Sequence, residues 1–428
     1  MKKFFVTGLL VSIASFLWAQ KNADNILTAK EAERIEKVLA SDDMRGRKLY
    51  SPELDKAADF IAAEFKTTGL ETVKGSNGYR QEFATISAKQ TNMTATVNGA
   101  TADPKNILVV TCQPELKIDQ SSGYEWVTIK AGAGLFQEAM AIMDANKNTV
   151  VMVDESFAKN FTRLSFLKRN LFKTDKNVVF ILGNTKPDNF SIEVQHEIKE
   201  QKLANVVGIL PGKSKKDEYV IFSGHYDHIG IGKAVNGDSI YNGANDDAAG
   251  TTAVIMLAKY FKALKNNERT IVFAAFTAEE SGGFGSQYFS KQFDPSKVVA
   301  MFNLEMIGTE SKWGKNSAYI TGYEKTDMGK ILEKNLAGTG FTFYPDPYPD
   351  QQLFYRSDNA TLAKLGVPAH TISTSKMDSE PNYHKVTDHV ETLDMDNMAM
   401  IIKSIALSAR TIIAGKDTPS RVNTSDLR

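Results

Sequence analysis

From about residue 205 onward, short apolar runs alternate with amphipathic stretches, and acids or histidines stand directly after the apolar runs. Runs at 219–223, 270–276 and 298–304 have the length and the aromatic and β-branched content of buried strands. They lead into His225, Glu279-Glu280 and Glu305. Further strands are predicted at 318–321 and 368–373, and helices at 248–264 and 394–414. Strands that alternate with helices require a sheet covered on both sides. The expected fold class is therefore α/β: a mixed, largely parallel central sheet covered by helices on both faces, with a small β-rich insertion. Ligands in such sheets bind beyond the carboxyl ends of the strands, so the position of these donors argues for a site independently of their chemistry.

The rest of the chain divides by character. Residues 28–39 read as a helix with a capping box that begins at Thr28. Residues 52–69 read as a second helix, closed by Gly69, and the polar segment 41–51 joins the two. Between about 86 and 199 the pattern becomes one of short strands (93–97, 107–111, 126–129, 150–153, 178–182) with turn signals such as Asn98-Gly99. No cluster of donors falls there. Lys2 and Lys3 precede an apolar stretch at 4–18 and then Ala19, which reads as a secretory signal peptide, too short for the ~20 residues of a membrane span. The expected organisation is a signal at 1–19, a main domain at 20–85 and 200–428, and an inserted domain at 86–199. After cleavage no stable membrane span is expected, and the protein would be periplasmic or secreted.

Lys+Arg and Asp+Glu balance at 51 each. That balance, with no basic run interleaved with aromatics, argues against nucleic acid. Cys112 is the only cysteine, which excludes an internal disulfide and a thiolate metal site.

The donors come in separate runs. His225 lies in Ser-Gly-His-Tyr-Asp-His (223–228), where Asp227 is near enough to take the second ring N–H of His225. Asp246 and Asp247 stand among small residues at the start of a helix. One of them would serve as an N-cap, and a pair allows one carboxylate to bridge two metals while the other supports the turn. Glu279 and Glu280 allow one acid to bind metal and the other to accept a proton from water. Glu305 sits inside an apolar stretch, where an unpaired carboxylate is costly unless a cation offsets it. His384 lies in a polar loop. His370 and His389 are weaker candidates, and His196 is given no role. Met306, Phe354, Tyr355 and Tyr383 are candidates for an apolar substrate pocket. Imidazole and carboxylate donors suit divalent ions, zinc above all.

This constellation resembles the co-catalytic di-zinc aminopeptidase family of the metallopeptidases, whose relatives include leucyl aminopeptidases, glutamate carboxypeptidases and glutaminyl cyclases. The resemblance covers roughly residues 27–70 and 205–415. It implies that His225 binds one zinc, Asp246 bridges both, and Glu280 and His384 bind the other. Glu279 then matches the general base and Asp227 the acid that orients His225. The resemblance also implies a cis peptide bond between Asp246 and Asp247. Two positions depart from the family pattern. Glu305 stands where many relatives carry Asp, and Asn359 stands where the usual run is Ser-Asp-His. The insertion is only weakly similar to a protease-associated domain. The expected activity is an exopeptidase that removes N-terminal residues from peptides. A glutaminyl cyclase-like acyltransferase and a non-catalytic binding protein are the alternatives.

Overall fold

The computed structural model describes residues 25–76 and 78–427; the expected signal segment lies outside them. The chain forms two units, one of residues up to Glu82 together with Ala204 onward, the other Phe83–Leu203. Sequence had placed the boundaries at 86 and 199.

In the first unit, α1 (Ala29–Leu39) begins where the Thr28 hydroxyl accepts from Glu31 N, and α2 (Pro52–Thr68) where Ser51 accepts from Leu54 N. Gly69 ends α2 with φ +75°, the left-handed conformation that glycine adopts without strain. The chain then supplies β1 (Phe190–Leu210), β2 (Lys215–His225), α3 (Ala249–Leu264), β3 (Arg269–Phe276), α4 (Phe284–Ser290) and β4 (Val298–Leu304). It continues through β5 (Ser317–Ile320), α5 (Met328–Leu336), β6 (Thr342–Pro345), α6 (Asn359–Ala363), β7 (Ala369–Ser373), α7 (Met395–Ser408) and α8 (Arg410–Ile413).

Within this unit the strand order is β6-β5-β7-β4-β2-β3-β1, part of a ten-stranded sheet. β3, β2, β4 and β7 run parallel, β1 is antiparallel to β3, and β5 is antiparallel to β7. Both faces are covered, so all eight residues of β3 are buried. Alternation assigns the faces. Ile221, Val272, Ala274 and Met301 pack with Phe289 of α4 and Leu362 of α6. On the other face Phe222 stacks on Phe261 of α3, Phe273 and Phe302. The predicted closing helix at 394–414 is two helices, because it breaks at Ala409.

The second unit carries its own four-stranded sheet, made by Ile107–Val110, Val178–Leu182, Thr149–Val153 and Glu125–Ile129 in that order. It is less purely β than the sequence suggested. A helix at Leu135–Asp144 buries Leu135 and Ala139, and short helical turns follow from Glu155 to Lys168.

Candidate metal centre

Parallel register brings the donors together. Phe276 pairs with His225 and Asn303 with Ser223, so β2, β3 and β4 end at nearly the same level. His225 closes β2, Glu279 and Glu280 follow β3, and Glu305 follows β4. Asp246 comes from the turn before α3, and His384 from the loop after β7.

All five expected ligands converge. His225 Nε2 lies 3.2 Å from Asp246 Oδ1 and 3.3 Å from Glu305 Oε1. His384 Nε2 lies 3.1 Å from Asp246 Oδ2 and 3.2 Å from Glu280 Oε2. The two oxygens of Asp246 therefore face two different histidines. The Asp246–Asp247 peptide bond is cis.

The donor set fits cations. His225 Nδ1 donates to the Asp227 carbonyl at 3.1 Å, which leaves Nε2 facing two carboxylate oxygens. An imidazole lone pair cannot face two carboxylates without a proton or a metal between them. Asp246 Oδ2 is buried without a hydrogen-bond partner, as expected of an atom that serves a cation. His225, Asp246 and Glu305 form one group of candidate ligand atoms, and His228, Asp246 and Glu280 a second.

The electrostatics follow from burial and charge. Burial pushes the Glu279 carboxyl well above the ordinary range; Glu305, Asp358 and Glu280 add to this, and His225 opposes it. Burial would raise Asp246 as well, but His225 and His384 outweigh it and hold that carboxyl below its usual range. Burial opposes protonation of His384, yet Asp246 and Glu280 push it up to about 10.

Asp247 supports the turn as its place in the sequence suggested. Its Oδ2 accepts from His225 N, and its Oδ1 from Gly250 N and Met306 N, each at 3.0 Å. It thus ties three site segments together. Asp227 acts differently from expectation. Its carboxylate stays 3.8 Å from His225 Nδ1, and its main-chain carbonyl takes that N–H instead. Asp227 Oδ1 accepts from Glu279 N at 3.1 Å.

Beside the donors lies a cleft to which Met306, Tyr319, Leu353, Met377 and Tyr383 contribute, with Glu279 and His384 on its wall. Met306 and Tyr383 belong to it as expected. Phe354 and Tyr355 do not. Phe354 is buried over Gly322, where a β-carbon would stand 2.2 Å from the ring, and Tyr355 turns toward Lys325. Their place on a 3-10 turn sends only Leu353 to the cleft. Asn359 is a packing residue, its amide bonded to the Phe354 and Ala369 carbonyls. His370 is a core residue bonded to Thr326 and Thr321. His389 pairs with Asp238, and His196 lies in the second unit.

Three residues near the centre carried no sequence signal. His228 is 2% exposed with Nδ1 2.8 Å from Glu280 Oε1. Asp388 accepts from Asn245 N and Asp246 N at 2.9 and 3.1 Å. Arg47 holds the main chain beside the site from the α1–α2 segment.

Residues 205–409 match the model of peptidase family M28. This part of the chain is similar to that family. A probable leucine aminopeptidase of Trichophyton verrucosum is 30% identical over 208 residues, covering 45% of this chain and 53% of its own. A probable zinc metalloprotease of Pyricularia oryzae is 34% identical over 112 residues, covering 26% and 22%. The chain thus spans about half the length (53%) or less of these curated relatives. Among solved structures, the aminopeptidase of Aneurinibacillus sp. strain AM-1 superposes with a TM-score of 0.54 at 17% identity, over 96% of this chain and 98% of that one. The zinc aminopeptidase of Bacillus subtilis gives 0.54 at 16%, over 92% and 98%. At such identities these neighbours establish the shared α/β fold. No helix among the described residues is long and apolar enough to cross a membrane.

Proposed function

We propose that the chain is an exported, zinc-dependent aminopeptidase that uses two divalent ions. The observation that carries this reading is the division of Asp246, whose Oδ1 faces His225 and whose Oδ2 faces His384. One ion would be held by His225, Asp246 and Glu305, the other by Asp246, Glu280 and His384. Curated relatives described as leucine aminopeptidases and zinc metalloproteases support the activity and the metal. The Lys2-Lys3 start and the apolar 4–18 stretch support export.

Bound divalent ions supply Lewis acidity, which lowers the pKa of water and polarises a scissile carbonyl. Glu279 accepts the proton from the attacking water and returns it to the leaving amine. Asp227 fixes the base by accepting from Glu279 N. Met306 and Tyr383 give the first side chain of a peptide an apolar surface beside the donors. Glu305 is placed to meet a free N-terminal amine.

The test is a panel of peptides with free, N-blocked and N-terminal glutaminyl ends, run on wild type and Glu279→Gln. Hydrolysis restricted to free N-termini is expected. The amide keeps the shape of Glu279 but cannot accept the proton, so Glu279→Gln should lose about 10²–10⁴ in rate with metal content and melting temperature kept. Cyclisation of glutaminyl peptides without hydrolysis, or full activity in the variant, would overturn the reading.

A further inference from the structure

His228 is the last residue of the 223–228 run, and nothing in the proposed ligand set uses it. Its ring is buried at 2% exposure. Nδ1 lies 2.8 Å from Glu280 Oε1, and the ring stands edge-on to His384 with centroids 5.9 Å apart. Both atoms are buried and neither makes a hydrogen bond of good geometry, so this close approach is the polar contact that each has. The site also makes room for the ring. At Gly243 (φ +61°) a β-carbon would stand 2.5 Å from His228 Cγ. The backbone is anchored too, because His228 N donates to the Arg47 carbonyl at 3.2 Å.

Glu280 therefore has two differently employed oxygens. Oε2 faces His384 at 3.2 Å, on the side where Asp246 Oδ2 also lies. Oε1 faces His228. A lone carboxylate on the loop after β3 could swing, and a swinging ligand binds metal poorly. Outer partners that fix a ligand's rotamer are worth about 10–100-fold in metal affinity.

We infer that His228 is a positioning residue for the second metal: its imidazole holds Glu280 Oε1 so that Oε2 stays turned toward Asp246 and His384. This rests on the two-ion reading above. It gives the second site a counterpart to the Asp227 carbonyl, which fixes His225 at the first.

The experiment is a chelator-competition titration with zinc and with cobalt on the full chain, read as ions bound and as the affinity of each. Wild type should bind two ions. His228→Ala should bind the second about 10–100-fold more weakly and leave the first unchanged. His228→Asn, whose amide N–H can occupy the place of Nδ1–H, should restore the second affinity to within a few-fold. The thermal melt of each variant, recorded in chelator, should match that of wild type in chelator. Two ions of unchanged affinity in His228→Ala would overturn the inference. So would an Asn variant as weak as the Ala variant with both melts unchanged, since that would make the ring itself a ligand. Wild type binding fewer than two ions would instead remove the two-ion reading.

Discussion

Glu305 has one methylene more than the Asp that many relatives carry, and the site absorbs it. Its Oε1 reaches to 3.3 Å from His225 Nε2 while Oε2 accepts from the Ser357 hydroxyl at 2.6 Å. The longer arm is thus held at both oxygens. Glu305→Ala should release the ion beside His225 first, since that group would keep only His225 and the shared Asp246. Asp246, Glu280 and His384 should retain the other ion. Glu305→Asp should stay active with altered metal affinity, because Asp keeps the charge but cannot reach both His225 and Ser357. Metal analysis after dialysis decides this: an Ala variant holding two ions with unchanged kinetics would make Glu305 a structural acid. Of the proposed ligands, His225, Glu280 and Glu305 were legible because each stands at or just after the end of an apolar strand. Asp388 was not. It accepts from Asp246 N 142 positions earlier in the chain, and no local pattern announces a contact at that separation.

At the scale of elements, the α1–α2 segment does more than its polar, glycine-containing sequence suggested. Arg47 is fully buried and donates to four main-chain carbonyls: Leu39 at 2.5 Å, Tyr226 at 2.8 Å, Asn242 at 2.6 Å and Gly243 at 2.8 Å. Tyr226 lies between His225 and Asp227, and Gly243 opens the turn that carries Asp246. One guanidinium thus ties the end of α1 to two segments that bear the proposed metal donors. Burial lowers its pKa, while Glu36 and Asp388 act in the opposite direction. Arg47→Lys keeps the charge but replaces a planar fork by a point. Two or more carbonyls would then lose their donor, each at about 1–3 kcal/mol. The expected result is a lower unfolding midpoint together with weaker binding at both metal sites. An unchanged midpoint and unchanged affinities would show that water replaces these bonds freely. The alternation of strands and helices was readable because burial on two faces leaves continuous apolar runs such as 271–276. The helix at Leu135–Asp144 was not read, since its Ala-Met-Ala-Ile-Met run is compatible with either period.

At the scale of the molecule, the chain leaves the peptidase unit and returns to it at neighbouring points. Val207 N donates to the Tyr79 carbonyl at 2.8 Å, and Asn205 Nδ2 donates to Gln81 Oε1 at 2.9 Å. The intervening 83–203 segment has its own interior. Leu108, Val110, Val151, Val153 and Phe180 face one cluster, while Ile107, Val109, Val150, Met152 and Val179 face another. That period-two division describes a sheet covered on both sides by residues of its own unit. An inserted unit with adjacent ends and an independent core is separable from its host. A chain in which a short Gly/Ser linker joins Glu82 to Ala204 should therefore fold. It should keep both metal affinities, because every residue assigned to the centre lies outside the excised segment. Cooperative thermal unfolding with two bound ions is the expected outcome. A soluble but non-cooperative product would mean that the peptidase core needs the insertion to fold. A cooperative product that binds no metal would mean that the insertion shapes the centre through residues beyond those that touch it.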